Sequence, residues 1–305
     1  MPRVALKVDC DTYVGTREGI PRLLDLFARK GIRATFFFTF GPDRSGRAVK
    51  RFFTQPGYLA KMVRSRAGSL YGFPTALYGT LLPAPVIGER CAHEMAAVAA
   101  GGHETGVHAW DHIGWHDSLP RWTLERVRGE SSRAHAAYER IFGQAARAAA
   151  AAGWTVTQAS LALEEERGLL YTSNTRGGEP FFPEIAGRGS AVLEIPTTLP
   201  TLDETLAWES LRDDEAQRAF FRAAPRGTEV HTIHTEVEGR SKLPLFTQIL
   251  DDWLGAGVQF VTLPELARET LARSPRAPVR RVSRAALPGR AGWVATGWPQ
   301  DAAAG

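Results

Sequence analysis

The sequence predicts an α/β fold built on parallel strands, and three observations carry that prediction. Near the N-terminus Val4, Leu6 and Val8 alternate with Arg3, Ala5 and Lys7, the period of a strand. The stretch REGIPRLLDLFARKG then has helical spacing, with Gly31 as its stop. IRATFFFTF follows as a buried strand. Strand, helix and strand in this order make a βα repeat, whose strands run parallel.

The remaining elements follow in order. Thr16 is expected to cap the first helix, and Pro21 falls early enough for the helix proper to start there. From residue 41 to 88 the rhythm breaks into a segment rich in Gly, Pro and aromatics, too apolar for a plain linker and read as an insertion after the second strand. ERCAHEMAAVAAGG is a helix, HETGVHAW a strand and the loop after it, and residues 122–142 another helix. AFFRAAPRG ends a helix before the strand TEVHTIH. LPLFTQILDDWLGAG is a late helix and VQFVTLPEL a last strand and turn. One catalytic unit is expected over residues 1–272, with a basic Arg- and Pro-rich arm appended over 273–305.

With 44% hydrophobic and 23% charged residues in 305, a sizeable core is expected and disorder is not. Cys10 and Cys91 give no disulfide framework. The opening MPRVALKVDC breaks at Lys7 and Asp9, too early for an export signal, and no run approaches the roughly 20 apolar residues of a membrane span. A cytosolic chain is therefore expected. The net charge of +4 suits a nucleic acid, an anionic membrane or a phosphorylated substrate, and its distribution says more than its size. After Glu269 the tail carries Arg273, Arg276, Arg280, Arg281, Arg284 and Arg290 against a single acid, Asp301. A second basic zone, between Arg44 and Arg66, is mixed with Phe52, Phe53, Tyr58, Leu59 and Met62.

Candidate chemistry gathers at strand ends. In VDCDT, Asp9 and Asp11 share one face of a strand while Cys10 faces the other. Paired carboxylates repel unless a cation or a proton lies between them; the plainer alternative is that Asp11 begins a turn. VHAWDH places His108 and His112 at i and i+4, which on a helical turn puts both imidazoles on one side, and His116 continues the series. Either two histidines with Asp11 or all three histidines would leave the open position of a catalytic metal site. His231 and His234 close the strand VHTIH, where His234 is either a satisfied buried histidine or a functional residue at a strand end.

VDCDT, ATFFF, GHETGVHAWDH and TIHTEVEG together resemble the polysaccharide deacetylase family, whose members remove N-acyl groups from sugars. DTYVGTREGIPRLL, SLYG, GVHAWDH, AAAGW, TIHTEVEG and PGRAGWVA are similar to its subgroup of deformylases acting on undecaprenyl-phosphate-linked 4-deoxy-4-formamido-L-arabinose, in lipid A modification and polymyxin resistance. The resemblance implies a distorted (β/α) barrel with its site at the strand C-termini. It implies that Asp9 is the catalytic base, that Asp11, His108 and His112 hold a divalent metal, and that His234 is the catalytic acid. It gives His116 no ligand role. Zinc suits such a donor set, as do manganese, cobalt or iron. The implied reaction is amide hydrolysis in which Asp9 takes a proton from the attacking water and His234 protonates the departing amine.

Two positions depart from the family pattern. Its third motif has an arginine that positions the base; here the place reads AAAGW, with Trp154 and no Arg. In YTSNTRGG, Asn174 stands where an acid usually supports the catalytic histidine, so His234 is expected to have a lower pKa than in relatives with Asp. Arg17 and Arg176 are candidates for the substrate phosphate by charge. A lipid-linked substrate sits in a bilayer, and Phe52, Phe53, Tyr58 and Met62 among their basic neighbours are expected to dock on the anionic inner-membrane surface; the alternative is that these aromatics pack on the barrel. The rival functions are an N-acetyl sugar deacetylase and, more remotely, a non-catalytic sugar- or lipid-binding barrel. No nucleic-acid motif accompanies the basic tail, so no nucleic-acid partner is expected.

Overall fold

The computed structural model describes residues 1–50, 75–273 and 276–298. In chain order the strands are β1 (Arg3–Cys10), β2 (Thr35–Thr39), β3 (Glu104–Ala109), β4 (Ala148–Ala149), β5 (Tyr171–Thr172), β6 (Phe182–Ile185) and β7 (Arg188–Gly189). They continue with β8 (Leu193–Glu194), β9 (Thr228–His234), β10 (Gln259–Val261), β11 (Val279–Arg281), β12 (Ser283–Ala285) and β13 (Val294–Thr296). β1, β2, β3, β4, β5 and β8 pair in that order, all parallel, and both β9 and β10 pair parallel with β1. Between β8 and β9 the backbone N–H groups of Thr198 and Leu199 donate to Val230 O at 3.0 and 3.2 Å, drawing the sheet into an open, distorted barrel.

β1 is buried almost throughout because both its faces are covered. Val4, Leu6, Val8 and Cys10 join one apolar cluster with Ile20, Leu23 and Phe27 of helix α1 (Ile20–Lys30) and with Phe246, Leu250 and Trp253. Ala5 joins a second cluster with Phe37, Ala148, Tyr171, Leu193 and Val230, one residue from each of several strands, which is the barrel interior. With a period of two, Lys7 and Asp9 share the face of Ala5.

Helix α1 starts with Pro21 in its first turn and ends at Gly31, whose left-handed φ of 64° lets its N–H reach Ala28 O and Phe27 O. Thr16 does not cap it: residues 15–19 form a π-type turn, and the Thr16 hydroxyl donates to Thr12 O at 2.7 Å. Helices α2 (Ala92–Ala100), α3 (His112–Ser118) and α4 (Leu124–Phe142) follow; Thr123 caps the last by accepting from Arg126 N. Helices α5 (Gln158–Glu166), α6 (Asp214–Ala223), α7 (Leu243–Gly255) and α8 (Leu263–Leu271) complete the set used below.

The two ends of the insertion meet. Pro42 bridges Val86, Asp43 N donates to Pro85 O at 2.9 Å, and Gly46 N donates to Tyr78 O at 3.0 Å. Phe52, Phe53, Tyr58 and Met62 lie outside the described residues.

The described part of the basic tail packs on the body of the chain. β11 pairs with β6, β12 pairs with β13, and Arg176 exchanges backbone hydrogen bonds with Ala295 and Gly297, both at 2.9 Å. Two of its cations find partners within the fold: Arg276 lies 3.8 Å from the centre of the Phe182 ring, and Arg280 pairs with Glu179. The acid and the ring that receive these two arginines lie about a hundred residues away in the chain, so the sequence alone does not show the pairing.

Candidate metal and catalytic site

Parallel strands bring their C-terminal ends to one rim, and the chemistry collects there. Asp9, near the end of β1, is in register with His234, the last residue of β9. Asp11 lies just past β1, on a loop gripped by Glu236. One Glu236 oxygen, Oε1, accepts from Asp11 N at 3.2 Å and from Thr12 N and Thr12 Oγ1 at 2.7 Å each. A Cβ at Gly15 would overlap this carboxylate, so any larger residue there has to displace it.

His108 is on β3 and His112 is the first residue of α3. The i, i+4 spacing works here by a strand-to-helix turn, not by a helical repeat. Asp111 makes that turn by capping α3, accepting from Gly114 N at 2.9 Å, and it pairs with Arg44. His108 Nε2 lies 3.2 Å from Asp11 Oδ1, and His112 Nε2 lies 3.2 Å from Asp11 Oδ2. The three ligand atoms sit within 4.8 Å of one another. Two imidazole nitrogens aimed at the two oxygens of a largely buried carboxylate is a donor set of three that fits a divalent cation. Burial would raise the Asp11 pKa, but the charges and hydrogen bonds of His112 and His108 outweigh it and hold the carboxyl well below its usual range. His116 sits one turn further along α3, with Nδ1 2.7 Å from Asp117 Oδ1, and takes no part in this cluster.

Asp9 has a cation beside it, Lys7. Its Nζ donates to Asp9 Oδ2 at 2.8 Å, with the Lys7 side chain fully buried and that of Asp9 4% exposed. Asp9 Oδ1 is buried with no hydrogen-bond partner among the described residues, which leaves it free to accept. Sequence reasoning placed Lys7 on the polar side of an amphipathic strand. The signal that could have found it is a lysine two positions before an aspartate, on the same face of a strand whose other face is wholly apolar.

His234 is supported by acids, though not from the expected quarter. Its Nδ1 lies 3.6 Å from Asp203 Oδ1, and its backbone N donates to Glu238 Oε2 at 2.8 Å. Burial alone would lower the His234 pKa; Asp203, then Asp11, Glu238 and Asp9, outweigh it and raise it to about 9. Asn174 turns away to α5, where its Nδ2 donates to both oxygens of Glu164 at 3.0 Å, because that carboxylate is buried and needs a donor.

Trp154 is buried with a positive φ of 51°, a strained conformation for an indole-bearing residue, and Nε1 donates to Thr197 Oγ1 at 3.2 Å. Lys7 Nζ, Arg176 Cζ and Arg290 Cζ lie 5.1, 5.2 and 4.5 Å from its ring centre. Arg176 is not available to a substrate phosphate. It is 4% exposed, its Nη1 donates to both oxygens of Glu204, and its Nη2 donates to Leu199 O. Arg17 is exposed and donates to the Tyr13 hydroxyl at 2.7 Å.

A family model described as polysaccharide deacetylase matches residues 2–171, more than half of the chain. The chain belongs to the polysaccharide deacetylase family. Within it, the chain is 36% identical over 293 residues, 96% of its length and 93% of the relative's, to the "Probable 4-deoxy-4-formamido-L-arabinose-phosphoundecaprenol deformylase ArnD" of Shewanella sediminis. The protein of the same name from Wigglesworthia glossinidia brevipalpis is 30% identical over 284 residues, 92% of this chain and 98% of that one. A solved "probable Polysaccharide deacetylase" from Pseudomonas aeruginosa PAO1 superposes with a TM-score of 0.61 at 17% identity, over 90% of this chain and 93% of that one, which shows the shared fold. In this member of the polysaccharide deacetylase family, then, the cation beside Asp9 comes from the same strand.

Proposed function

We propose that the protein is a metal-dependent amidohydrolase that removes the N-formyl group from undecaprenyl-phosphate-linked 4-deoxy-4-formamido-L-arabinose, releasing formate, in lipid A modification. The observation that carries this substrate is the 36% identity over 96% of the chain to a relative named for that deformylation.

Asp11, His108 and His112 would hold the cation, and zinc, manganese, cobalt or iron suits their donors. When bound, it supplies Lewis acidity, lowering the pKa of a water and polarising the formyl oxygen. Lys7 fixes one oxygen of Asp9, and the other takes a proton from the water that attacks the formyl carbon. His234, with Asp203 facing its Nδ1 at 3.6 Å, gives its proton to the sugar nitrogen as the carbon–nitrogen bond breaks. Without that proton the nitrogen would leave as an amide anion, a far poorer leaving group.

A lipid carrier places this substrate in a bilayer. The basic, aromatic insertion with Phe52, Phe53, Tyr58 and Met62 is the proposed contact with the anionic cytoplasmic face of the inner membrane, each basic residue contributing roughly 1 kcal/mol. Among the described residues no helix is long and apolar enough to cross a membrane. Deleting residues 52–62 is expected to abolish liposome binding; binding retained by the folded deletion would end the docking idea.

The deciding experiment incubates metal-loaded protein with the formamido lipid and follows the lipid by mass spectrometry, with Asp9→Ala and a chelated sample as controls. Loss of the formyl group in the native sample alone supports the proposal. Turnover of an N-acetyl sugar in its place would favour the deacetylase reading, which the breadth of the family supports. Metal content is expected to fall in His108→Ala and His112→Ala and to survive in His116→Ala.

A further inference from the structure

PGRAGWVA, residues 288–295, is a sequence motif that the proposed reaction leaves without work. Arg290 in that segment stacks on Trp154 at 4.5 Å and places Nη1 3.6 Å from Glu204 Oε1, with its side chain 13% exposed. Gly289, at a φ of 78°, passes so close to Glu204 O that a Cβ would overlap it. Glu204 is therefore gripped from two sides. Arg176 holds both its oxygens from the barrel, at 2.8 and 2.9 Å, and the C-terminal segment closes over it with Arg290.

Glu204 belongs to the helical turn Leu202–Thr205, where its Oε2 accepts from Thr201 N at 3.1 Å. Asp203 is its neighbour. The Thr201 hydroxyl donates to Asp203 Oδ1 at 2.6 Å, and that same oxygen faces His234 Nδ1. A four-residue turn has almost no helical stability of its own, so its orientation comes from whatever anchors it.

We propose that Arg290 is a positioning residue: the C-terminal segment clamps Glu204 and thereby holds Asp203 against His234, completing the catalytic site from the far end of the chain. The proposal rests on the reading of His234 as the catalytic acid. Among the described residues, the charged and titratable groups that act on His234 are Asp203, Asp11, Asp9, Glu236, Glu238 and His231. Of these, Asp203 alone sits on the turn that the tail grips.

The test compares Arg290→Met, Arg290→Lys and Glu204→Gln with the native full-length, zinc-loaded protein. The titration of the His234 imidazole is followed by NMR, its resonance assigned with His234→Gln, and kcat and KM are measured on the formamido lipid. In Arg290→Met the His234 midpoint is expected to fall by about one pH unit. Its kcat is expected to fall about tenfold with KM nearly unchanged, as for loss of a group that orients a catalytic residue. Arg290→Lys should recover most of both effects, and Glu204→Gln should reproduce them from the other end of the clamp, which covers the case that Arg290→Met does not fold. An unmoved His234 midpoint in these variants, with only a lowered melting temperature, would overturn the proposal. If the native protein leaves the formamido lipid untouched, the substrate reading fails, and the NMR midpoint still decides the role of Arg290.

Discussion

Lys7 Nζ and Asp9 Oδ2 stand 2.8 Å apart in the barrel interior, two residues apart on one strand, with neither side chain more than 4% exposed. A buried pair of this kind resists removal of one partner, because the other charge is left unpaired in a poor solvent. Lys7→Met is expected to cost about 3 kcal/mol of stability and at least tenfold in kcat, and Lys7→Arg to recover most of the activity. Urea denaturation and steady-state kinetics measure the two effects. Full activity in Lys7→Met would remove Lys7 from the account.

His234 makes stability depend on pH in a definite direction. Its folded pKa of about 9 lies above the roughly 6.5 of an unfolded histidine, so its contribution is fully present below about pH 6.5 and lost as pH rises through about 9. Asp203→Asn removes the first of the charges that raise it. In chelated protein, the stability difference between native and Asp203→Asn should be larger at pH 6 than at pH 10. An equal difference at both would mean that the two groups are not coupled.

Glu236 is expected to act on the metal, through the loop that carries Asp11. Glu236→Gln removes the charge from an oxygen that receives three hydrogen bonds, and Gly15→Ala pushes that carboxylate aside while leaving it charged. Both should weaken zinc binding about 10- to 100-fold in competition with a chromophoric chelator. Native affinity in both variants would show that the loop places Asp11 without this grip.

Asn174→Asp should leave the titration of His234 where it is, since the Asn174 amide donates to Glu164 and not to His234. Burial pushes the Glu164 carboxyl up to about 8, against the hydrogen bond from Asn174 that favours its charged form. A second carboxyl at this position is expected to destabilise the protein by about 1–3 kcal/mol, read from the denaturation midpoint. A shifted pH–rate profile at unchanged stability would restore Asn174 to the catalytic site.

The sequence by itself determined the parts of this protein that are written locally. Strand and helix periods are short-range, so β1, α1, β2 and the late helix α7 were legible, with Pro21 and Gly31 marking the ends of α1. Asp9, Asp11, His108, His112 and His234 were legible as candidates because each stands at or just beyond the end of a strand or on the turn that follows. The two-residue strands β4, β5 and β8 were not, since runs so short carry no period; their pairing comes from neighbours already in place. The tertiary structure alone decided which charges are partners. Lys7 reads as a surface residue until the barrel closes over it, and Arg176 reads as a free cation until Glu204 arrives. Asp203 meets His234, and Arg290 meets Trp154 and Glu204, across many intervening residues. The physical reason is that a period in sequence reports which way a side chain points. The strength of a charge depends instead on what surrounds it, and burial brings distant residues into a medium where each must find an opposite.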